Sequence, residues 1–195
     1  MTGTAVVFRS LRVMEVVLLV VGVVFISWYV GAGVAASHEQ ASLSRELDLI
    51  AGTATATPRH RPALPLRGLV GRIEVPRLKL SAIAREGADV QTLRRAIGHI
   101  PGTAFPGDAG NAAFAAHRDT FFRPLQSIRK GDEVVVTTTS GVYRYSVTGT
   151  QVVEPENVSV LDPTPGKTLT LVTCYPFDFV GSAPQRFIVS ASLLK

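Results

Sequence analysis

Three side chains that together could perform acyl transfer lie at the ends of apolar, strand-like runs. Cys174 is the only cysteine among the 195 residues, and it follows the buried-strand pattern Leu169–Thr173. A loop rich in Pro, Gly and aromatic residues comes next, and then Arg186 opens a second apolar run. His117 ends a third apolar run. A thiol, an imidazole and a guanidinium at three strand ends suffice for acyl transfer through a thioester.

The single cysteine excludes an intrachain disulfide. A free cysteine is often a buried, inert side chain. The placement of Cys174 relative to His117 and Arg186 favours a reactive thiol instead, since a nearby positive charge stabilises the thiolate that attacks.

These residues resemble the signature of the sortases, the membrane-anchored cysteine transpeptidases of bacteria. The sortase pattern TLxTC stands here as Thr170–Cys174, and the arginine that opens the next strand matches Arg186. The histidine of the family matches His117 within the sequence AAHRD. The resemblance runs from about Leu69 to the C terminus, and the sequence TLVTCYPF…VGSAPQRF is most similar to class D-type sortases.

Each of these residues has an expected role. Cys174 is expected to be the nucleophile, and His117 the general acid that protonates the leaving amine. Arg186 is expected to stabilise the oxyanion or to hold the substrate backbone. Thr173 and Phe179 are the expected substrate contacts. The side chain of Thr173 should point to the strand face opposite Cys174, so its backbone would lie beside the site.

The resemblance also implies a substrate and an acceptor. The substrate would be a surface protein with a C-terminal LPxTG-like sorting signal, and the acceptor an amine on a cell-wall precursor or a lysine of another protein. No cofactor and no metal site are predicted. Calcium activates some relatives, but Asp108, Glu154 and Glu156 are too scattered in the sequence to indicate a site.

The basic character of the chain does not indicate a nucleic-acid partner. The formal net charge is +5 and the sequence pI is about 9.8. The Lys and Arg residues are scattered, however, and aromatic residues do not alternate with them as a base-stacking groove requires.

A charge-free apolar stretch near the N terminus predicts a transmembrane signal anchor over residues 16–36. At about 1.5 Å per residue it is long enough for the roughly 30 Å hydrocarbon core of a bilayer. Arg9 and Arg12 precede it, which favours a cytoplasmic N terminus and an extracytoplasmic catalytic domain at the cell membrane. The small residues at Val34–Ala36 leave open a cleaved signal peptide, whose apolar stretch is usually shorter.

The composition divides the chain into four segments. Residues 1–15 form the cytoplasmic N terminus, and 16–36 the anchor. Residues 37–68 form a linker in which His38–Ala51 has the pattern of an amphipathic helix and Gly52–Gly68 is Pro-rich. The apolar stripe of that helix could cover the following domain or lie on the bilayer. Residues 69–195 form the catalytic domain.

The catalytic segment has the pattern of an all-β domain with short helices. Strands are predicted at Leu69–Val75, Leu78–Ala84, Asn111–His117, Glu133–Thr138, Val142–Thr148, Gln151–Val153, Leu169–Thr173 and Phe187–Val189. A helix capped by Asp89 should end near Arg95, and a helical turn is expected over Phe121–Ile128, with Asp119 as its cap. About eight short strands predict a closed or nearly closed β-barrel. The sortase resemblance implies an eight-stranded barrel with the site in a groove on one face.

Two other functions remain possible at this point. The L,D-transpeptidases also use Cys and His in a β-rich fold, but they carry the two residues close together in a SHGC-type motif, unlike His117 and Cys174. A membrane-tethered β-domain that binds extended peptides without catalysis also fits, because a sequence cannot show that the three side chains converge.

Overall fold

The computed structural model describes residues 14–27, 40–42, 44–45, 47–48 and 68–194. Within residues 68–194, eight strands close into a barrel whose order is β1-β2-β3-β4-β7-β8-β6-β5. The strands are β1 (Leu69–Val75), β2 (Leu80–Glu86), β3 (Ile97–His99), β4 (Gly110–Ala115), β5 (Glu133–Thr138), β6 (Gly141–Val153), β7 (Lys167–Tyr175) and β8 (Gln185–Leu193). The predicted eight-stranded all-β barrel is confirmed.

The direction of pairing decides which strand ends meet. Strand β4 pairs with β7 in parallel, in continuous register from Gly110↔Lys167 to Ala115↔Val172. Strand β7 pairs with β8 in an antiparallel ladder that runs from Thr168↔Ser192 to Tyr175↔Gln185. The carboxyl ends of β4 and β7 and the start of β8 therefore lie at the same edge of the sheet.

Short helices connect the strands of this domain. The α-helix Val90–Arg95 begins after Asp89, whose carboxylate accepts the N–H groups of Gln91 at 2.9 Å and Thr92 at 3.1 Å. The predicted cap at Asp89 is thus confirmed. Three 3-10 helices are described in the domain, at Pro76–Leu78, Arg123–Ser127 and Val158–Leu161.

The predicted cap at Asp119 is wrong. The helical turn expected there is the 3-10 helix Arg123–Ser127, which begins after Phe122 and has no side-chain cap. Asp119 is exposed. Burial of Phe122 and Leu125, both 0% exposed, fixes the turn instead.

Several strand predictions need correction. The predicted strand Asn111–His117 is β4, which ends at Ala115, so His117 follows the strand. Leu78 belongs to a 3-10 helix, so β2 starts at Leu80. The runs Val142–Thr148 and Gln151–Val153 are one strand, β6, with a register shift between Val147 and Gly149. Strand β3 was not predicted, because three residues are too few for a periodic pattern.

Alternating residues of β4, β7 and β8 fill the barrel interior. The core cluster includes Ala112, Phe114, Ala116, Leu169, Leu171, Val189 and Ala191, with Phe187 packed against it. Because successive side chains of a strand point to opposite faces, the intervening residues face outward. The outward-facing residues at the shared edge include those predicted to be catalytic.

The described residues of the predicted amphipathic segment contact the barrel. Residues 40–42, 44–45 and 47–48 are helical, and Leu47 is 0% exposed in a cluster with Leu69 and Ile83. The side-chain oxygen of Gln40 accepts the N–H of Ile83 at 2.8 Å. The apolar stripe therefore covers the barrel at Leu47. Leu43, Ile50 and residues 52–67 of the predicted spacer lie outside the described residues.

A separate unit comprises Met1–Glu39, of which residues 14–27 are described and form a helix with mostly exposed side chains. None of the helices in the described part of the chain has both the length and the hydropathy of a membrane span. Residues 28–36 of the predicted anchor lie outside the described residues.

Candidate active site

Strand β7 presents Cys174 on the outer face of the barrel. Its neighbour Thr173 is 2% exposed and points inward, where its Oγ1 donates a hydrogen bond to the carbonyl oxygen of Ala116 at 2.7 Å. The side chain of Cys174 therefore points to the opposite face. Cys174 is a free cysteine and the residue is partly exposed.

Arg186 lies directly across from Cys174 in the β7–β8 ladder. The next pair is Thr173 and Phe187, and the ring of Phe187 packs against the core. Arg186 therefore shares the outer face with Cys174. Side chains of directly opposite residues in an antiparallel pair have Cβ atoms about 4.5–5.5 Å apart. The ladder thus places the two residues side by side on this face.

His117 follows β4 at the same edge. Ala115 pairs with Val172, and the N–H of Ala116 donates to the carbonyl oxygen of Val172 at 3.2 Å. The ladder ends at Ala115, and the same register continued by two residues brings His117 opposite Cys174. Ala116 is 5% exposed and belongs to the core, so the imidazole of His117, which is partly exposed, faces outward.

A tight turn holds the backbone of His117 in place. Its carbonyl oxygen accepts the N–H groups of Thr120 at 3.4 Å and Phe122 at 3.2 Å. Phe122 is 0% exposed and anchors the turn in the core. The backbone of His117 is therefore fixed on both sides. The preceding residue is hydrogen-bonded to β7, and the following turn is anchored by Phe122.

The three residues predicted to be catalytic thus lie on one face and at one edge of the barrel. A partly exposed thiol between an imidazole and a guanidinium can attack a carbonyl carbon, exchange protons with the leaving group and bind the negative oxygen that forms. The register brings the backbones of Cys174, His117 and Arg186 together. Their individual roles stay predictions.

The two predicted substrate contacts have different surroundings. The side chain of Thr173 is buried and bonded to Ala116, so a contact with substrate would have to come from its backbone. Phe179 lies in the β7–β8 loop, residues 176–184, and is 43% exposed. Its ring is open to solvent near the strand ends that carry the thiol and the guanidinium.

His99 packs in the interior of the barrel and lies apart from the candidate catalytic residues. It is 1% exposed, with Nδ1 2.7 Å from a carboxylate oxygen of Glu86 and Nε2 2.9 Å from the carbonyl oxygen of Ala104. Its ring stacks on Phe105 with centroids 4.6 Å apart. Both ring nitrogens are occupied inside the fold, so His99 does not belong to the site.

The side chains of the described residues form no group of three His, Cys, Asp or Glu that could hold a metal ion.

Comparison with known proteins assigns this fold and strand-end arrangement to a family. The family model of the sortase domain matches residues 73–194. The chain belongs to the sortase family. Among its relatives, Sortase D of Bacillus subtilis is 32% identical over 120 residues, which cover 61% of this chain and 61% of that protein. Sortase A of Streptococcus agalactiae is 34% identical over 136 residues, which cover 65% of this chain and 53% of that protein.

Solved sortase structures share the fold. A sortase D5 transpeptidase of Clostridium perfringens is 30% identical with a TM-score of 0.60, covering 65% of this chain and 79% of that structure. Sortase E1 of Streptomyces coelicolor, with a tripeptide in its active site, is 30% identical with a TM-score of 0.60, covering 65% and 88%. The matched part of the chain spans about three fifths of Sortase D and about half of Sortase A.

Two polar residues near the two ends of β4 in this sortase-family chain, each bonded to a loop, were not singled out from the sequence. Arg118, directly after His117, donates hydrogen bonds to two carbonyl oxygens of the β7–β8 loop. Asn111, at the opposite end of β4, is 3% exposed, and its Nδ2 donates to the carbonyl oxygen of Val160 at 3.0 Å in the β6–β7 loop. Its Oδ1 accepts from Thr170 at 2.8 Å. The one sequence signal was a polar side chain at the end of an apolar run.

Proposed function

We propose that the protein is a membrane-anchored cysteine transpeptidase. It cleaves an LPxTG-like C-terminal sorting signal through a thioester on Cys174 and transfers the protein to an amine on the cell envelope or on another protein. The observation that carries this proposal is the register of β4, β7 and β8, which gathers Cys174, His117 and Arg186 on one outer face. Membership of the sortase family supports it.

The first half of the reaction forms the acyl-enzyme. The thiolate of Cys174 attacks the carbonyl carbon of the Thr–Gly peptide bond, and the carbonyl electrons move to oxygen. When this tetrahedral intermediate collapses, the C–N bond breaks and His117 gives its proton to the leaving amine. The products are a thioester between the surface protein and Cys174, and a free C-terminal fragment.

The second half transfers the acyl group. Neutral His117 accepts a proton from the incoming amine, whose nitrogen attacks the thioester carbonyl. Collapse expels the thiolate of Cys174 and forms a new amide bond. One peptide bond breaks and one forms, so the reaction needs no redox partner and no cofactor. A thioester suits this exchange because it stays reactive toward amines.

Arg186 stabilises the negative oxygen of the two tetrahedral intermediates. Its guanidinium is a cation with several fixed donors. Its Nη1 donates to the carbonyl oxygens of Ala183 at 3.2 Å and Gln185 at 2.9 Å. The substrate oxygen is a stronger, charged acceptor, so it draws on the same guanidinium in the transition state.

The apolar part of the sorting signal binds beside the β7–β8 loop. Phe179 supplies an exposed aromatic ring there. The β6–β7 loop, with the exposed Val158 in its 3-10 helix, provides a second apolar surface. The backbone of Thr173 contributes contacts next to the nucleophile.

The protein acts at the cell membrane. The charge-free stretch 16–36 is the anchor, with Arg9 and Arg12 on its cytoplasmic side. The barrel lies outside the cytoplasm, where surface proteins and envelope amines meet it. The partners are surface proteins with the sorting signal and the amine acceptor.

A peptide-library cleavage screen tests the function. The full chain is incubated with LPxTG-like peptides and an amine, and products are identified by mass spectrometry. We expect cleavage after Thr and amide formation with the amine, both abolished in Cys174→Ala. Binding of the peptides without cleavage in the wild type would support the alternative, a non-catalytic domain that binds extended peptides.

A further inference from the structure

Arg118 links the chain after His117 to the loop after Cys174. Its Nη2 donates hydrogen bonds to the carbonyl oxygens of Phe179 at 2.6 Å and Gly181 at 2.9 Å. The donor is charged, so these bonds are stronger than those between neutral groups. The partners lie far apart in the sequence, so Arg118 fixes the middle of the β7–β8 loop to the other side of the site.

The same guanidinium lies against the ring of Phe179. Its Cζ is 5.9 Å from the ring centroid, within the distance at which a cation is attracted to an aromatic ring. The tip of the loop is otherwise open, because Phe179 is 43% and Val180 is 94% exposed. A segment with so little packing depends on its few polar contacts for a fixed conformation.

Two arginines bind successive carbonyl oxygens along the segment that follows β7. Arg118 binds the carbonyl oxygens of Phe179 and Gly181, and Arg186 binds that of Ala183 at the end of the loop and that of Gln185, the first residue of β8. Arg186 is the cross-strand partner of Cys174 in the β7–β8 ladder. Arg118 lies on the turn after β4 and sets the half of the loop that carries the aromatic ring.

We propose that Arg118 is a positioning residue for substrate recognition. It holds the β7–β8 loop in the conformation in which Phe179 binds the apolar part of the sorting signal; this inference rests on the proposed function. Arg118 acts through the loop and not on the reacting atoms. Without it the loop samples other conformations, and the apparent affinity for the signal falls by the fraction of molecules that remain competent to bind.

Steady-state kinetics on the full chain with an LPxTG-like peptide test this inference. If Arg118→Ala leaves about a tenth of the molecules competent, KM rises about tenfold while kcat changes little. Arg118→Lys recovers part of the affinity, because Lys keeps the charge but lacks the planar fork. Arg123→Ala, which removes an exposed arginine from the same segment, is the matched control and keeps the wild-type KM.

Two substrate-free measurements separate this inference from the proposed function. Hydrogen exchange of the amides of residues 177–183 should accelerate in Arg118→Ala and stay at the wild-type rate in Arg123→Ala. Alkylation of Cys174 by iodoacetamide should keep its rate within about twofold, since the thiol itself is not altered. If the wild type cleaves no peptide, the proposed function fails. The exchange rates still test whether Arg118 holds the β7–β8 loop.

Three results would overturn the role of Arg118. The first is a wild-type KM together with unchanged exchange in Arg118→Ala. The second is a fall in kcat at constant KM, which would mean that Arg118 acts in the chemical step. The third is an equal rise in KM in Arg123→Ala, which would reduce the effect to loss of positive charge.

Discussion

Cys174 and Arg186 are direct cross-strand partners in the β7–β8 ladder. Their proximity is therefore set by backbone hydrogen bonds of the barrel and does not depend on the conformation of the loop between them. A substitution at Arg186 changes the chemistry beside the thiol while the ladder remains. Arg186 can therefore be replaced to test its proposed role in oxyanion stabilisation while the strand pairing is kept.

Replacement of Arg186 should lower turnover. Removal of one oxyanion donor typically costs about 10²- to 10³-fold in kcat, and we expect a loss of that order in Arg186→Ala. Arg186→Lys should remain poor, because an ammonium lacks the planar fork. The kcat of both variants is measured from the kinetics of peptide cleavage. Substantial activity in Arg186→Ala would remove the oxyanion role.

The general-acid role of His117 predicts a dependence on the leaving group. His117→Ala should lose about 10²- to 10⁴-fold in cleavage of the peptide bond, whose amine must be protonated as it leaves. A substrate of the same sequence with an activated ester at the scissile bond needs no such proton, so its acylation rate should fall far less. Equal losses for the amide and the ester would argue against proton donation by His117.

The single cysteine provides a direct test of membrane topology. If the barrel lies outside the cytoplasm as proposed, a membrane-impermeant maleimide added to intact cells should label Cys174. The control is Ser10→Cys in the Cys174→Ala background, which should be labelled only after the cells are permeabilised. Labelling of Cys174 only after permeabilisation would reverse the proposed orientation.

An ion pair between Arg77 and Asp132 should make stability depend on acid pH. The carboxylate of Asp132, 9% exposed, accepts from Arg77 Nε at 2.5 Å and Nη2 at 2.6 Å and from the N–H of Arg129 at 2.7 Å. The Arg77 hydrogen bonds lower the pKa of Asp132 in the folded state. A lowered pKa stabilises the fold above the unfolded value of about 3.9, and that stabilisation is lost as the pH falls through the folded pKa.

Asp132→Asn isolates this contribution. At neutral pH we expect the variant to have a free energy of unfolding about 1–3 kcal/mol below that of the wild type, as for other lost hydrogen bonds to a buried charged group. Denaturant titrations at several pH values should show this difference shrinking below about pH 4. A difference that stays constant down to the acid limit of folding would contradict the pKa shift.

Much of the barrel follows from local pattern. The bounds of β1 and β5 match the predicted strands. Both strands have a clear local pattern of alternating or β-branched residues along their length. The helix after Asp89 was predictable because a capping carboxylate is a local signal. In contrast, β3 has three residues and pairs in parallel with β2, so its pairing depends on distant residues.

The candidate site residues could be singled out from the sequence, but the contacts that hold the neighbouring loops could not. Cys174, His117 and Arg186 are marked by residue type and by position at strand ends. Arg118 and Asn111 act through carbonyl oxygens of loops far away in the sequence, and a backbone acceptor leaves no trace in side-chain identity. Such contacts become visible only when the register of the strands is known.

Intact-protein mass spectrometry during turnover tests the thioester on Cys174 most directly. With an LPxTG-like peptide and no added amine, the wild-type chain should gain the mass of the acyl fragment, located on Cys174, and should lose it when an amine is supplied. Cys174→Ala should gain no mass. Cleavage of the peptide without any adduct on Cys174, or an adduct that persists in Cys174→Ala, would contradict the mechanism.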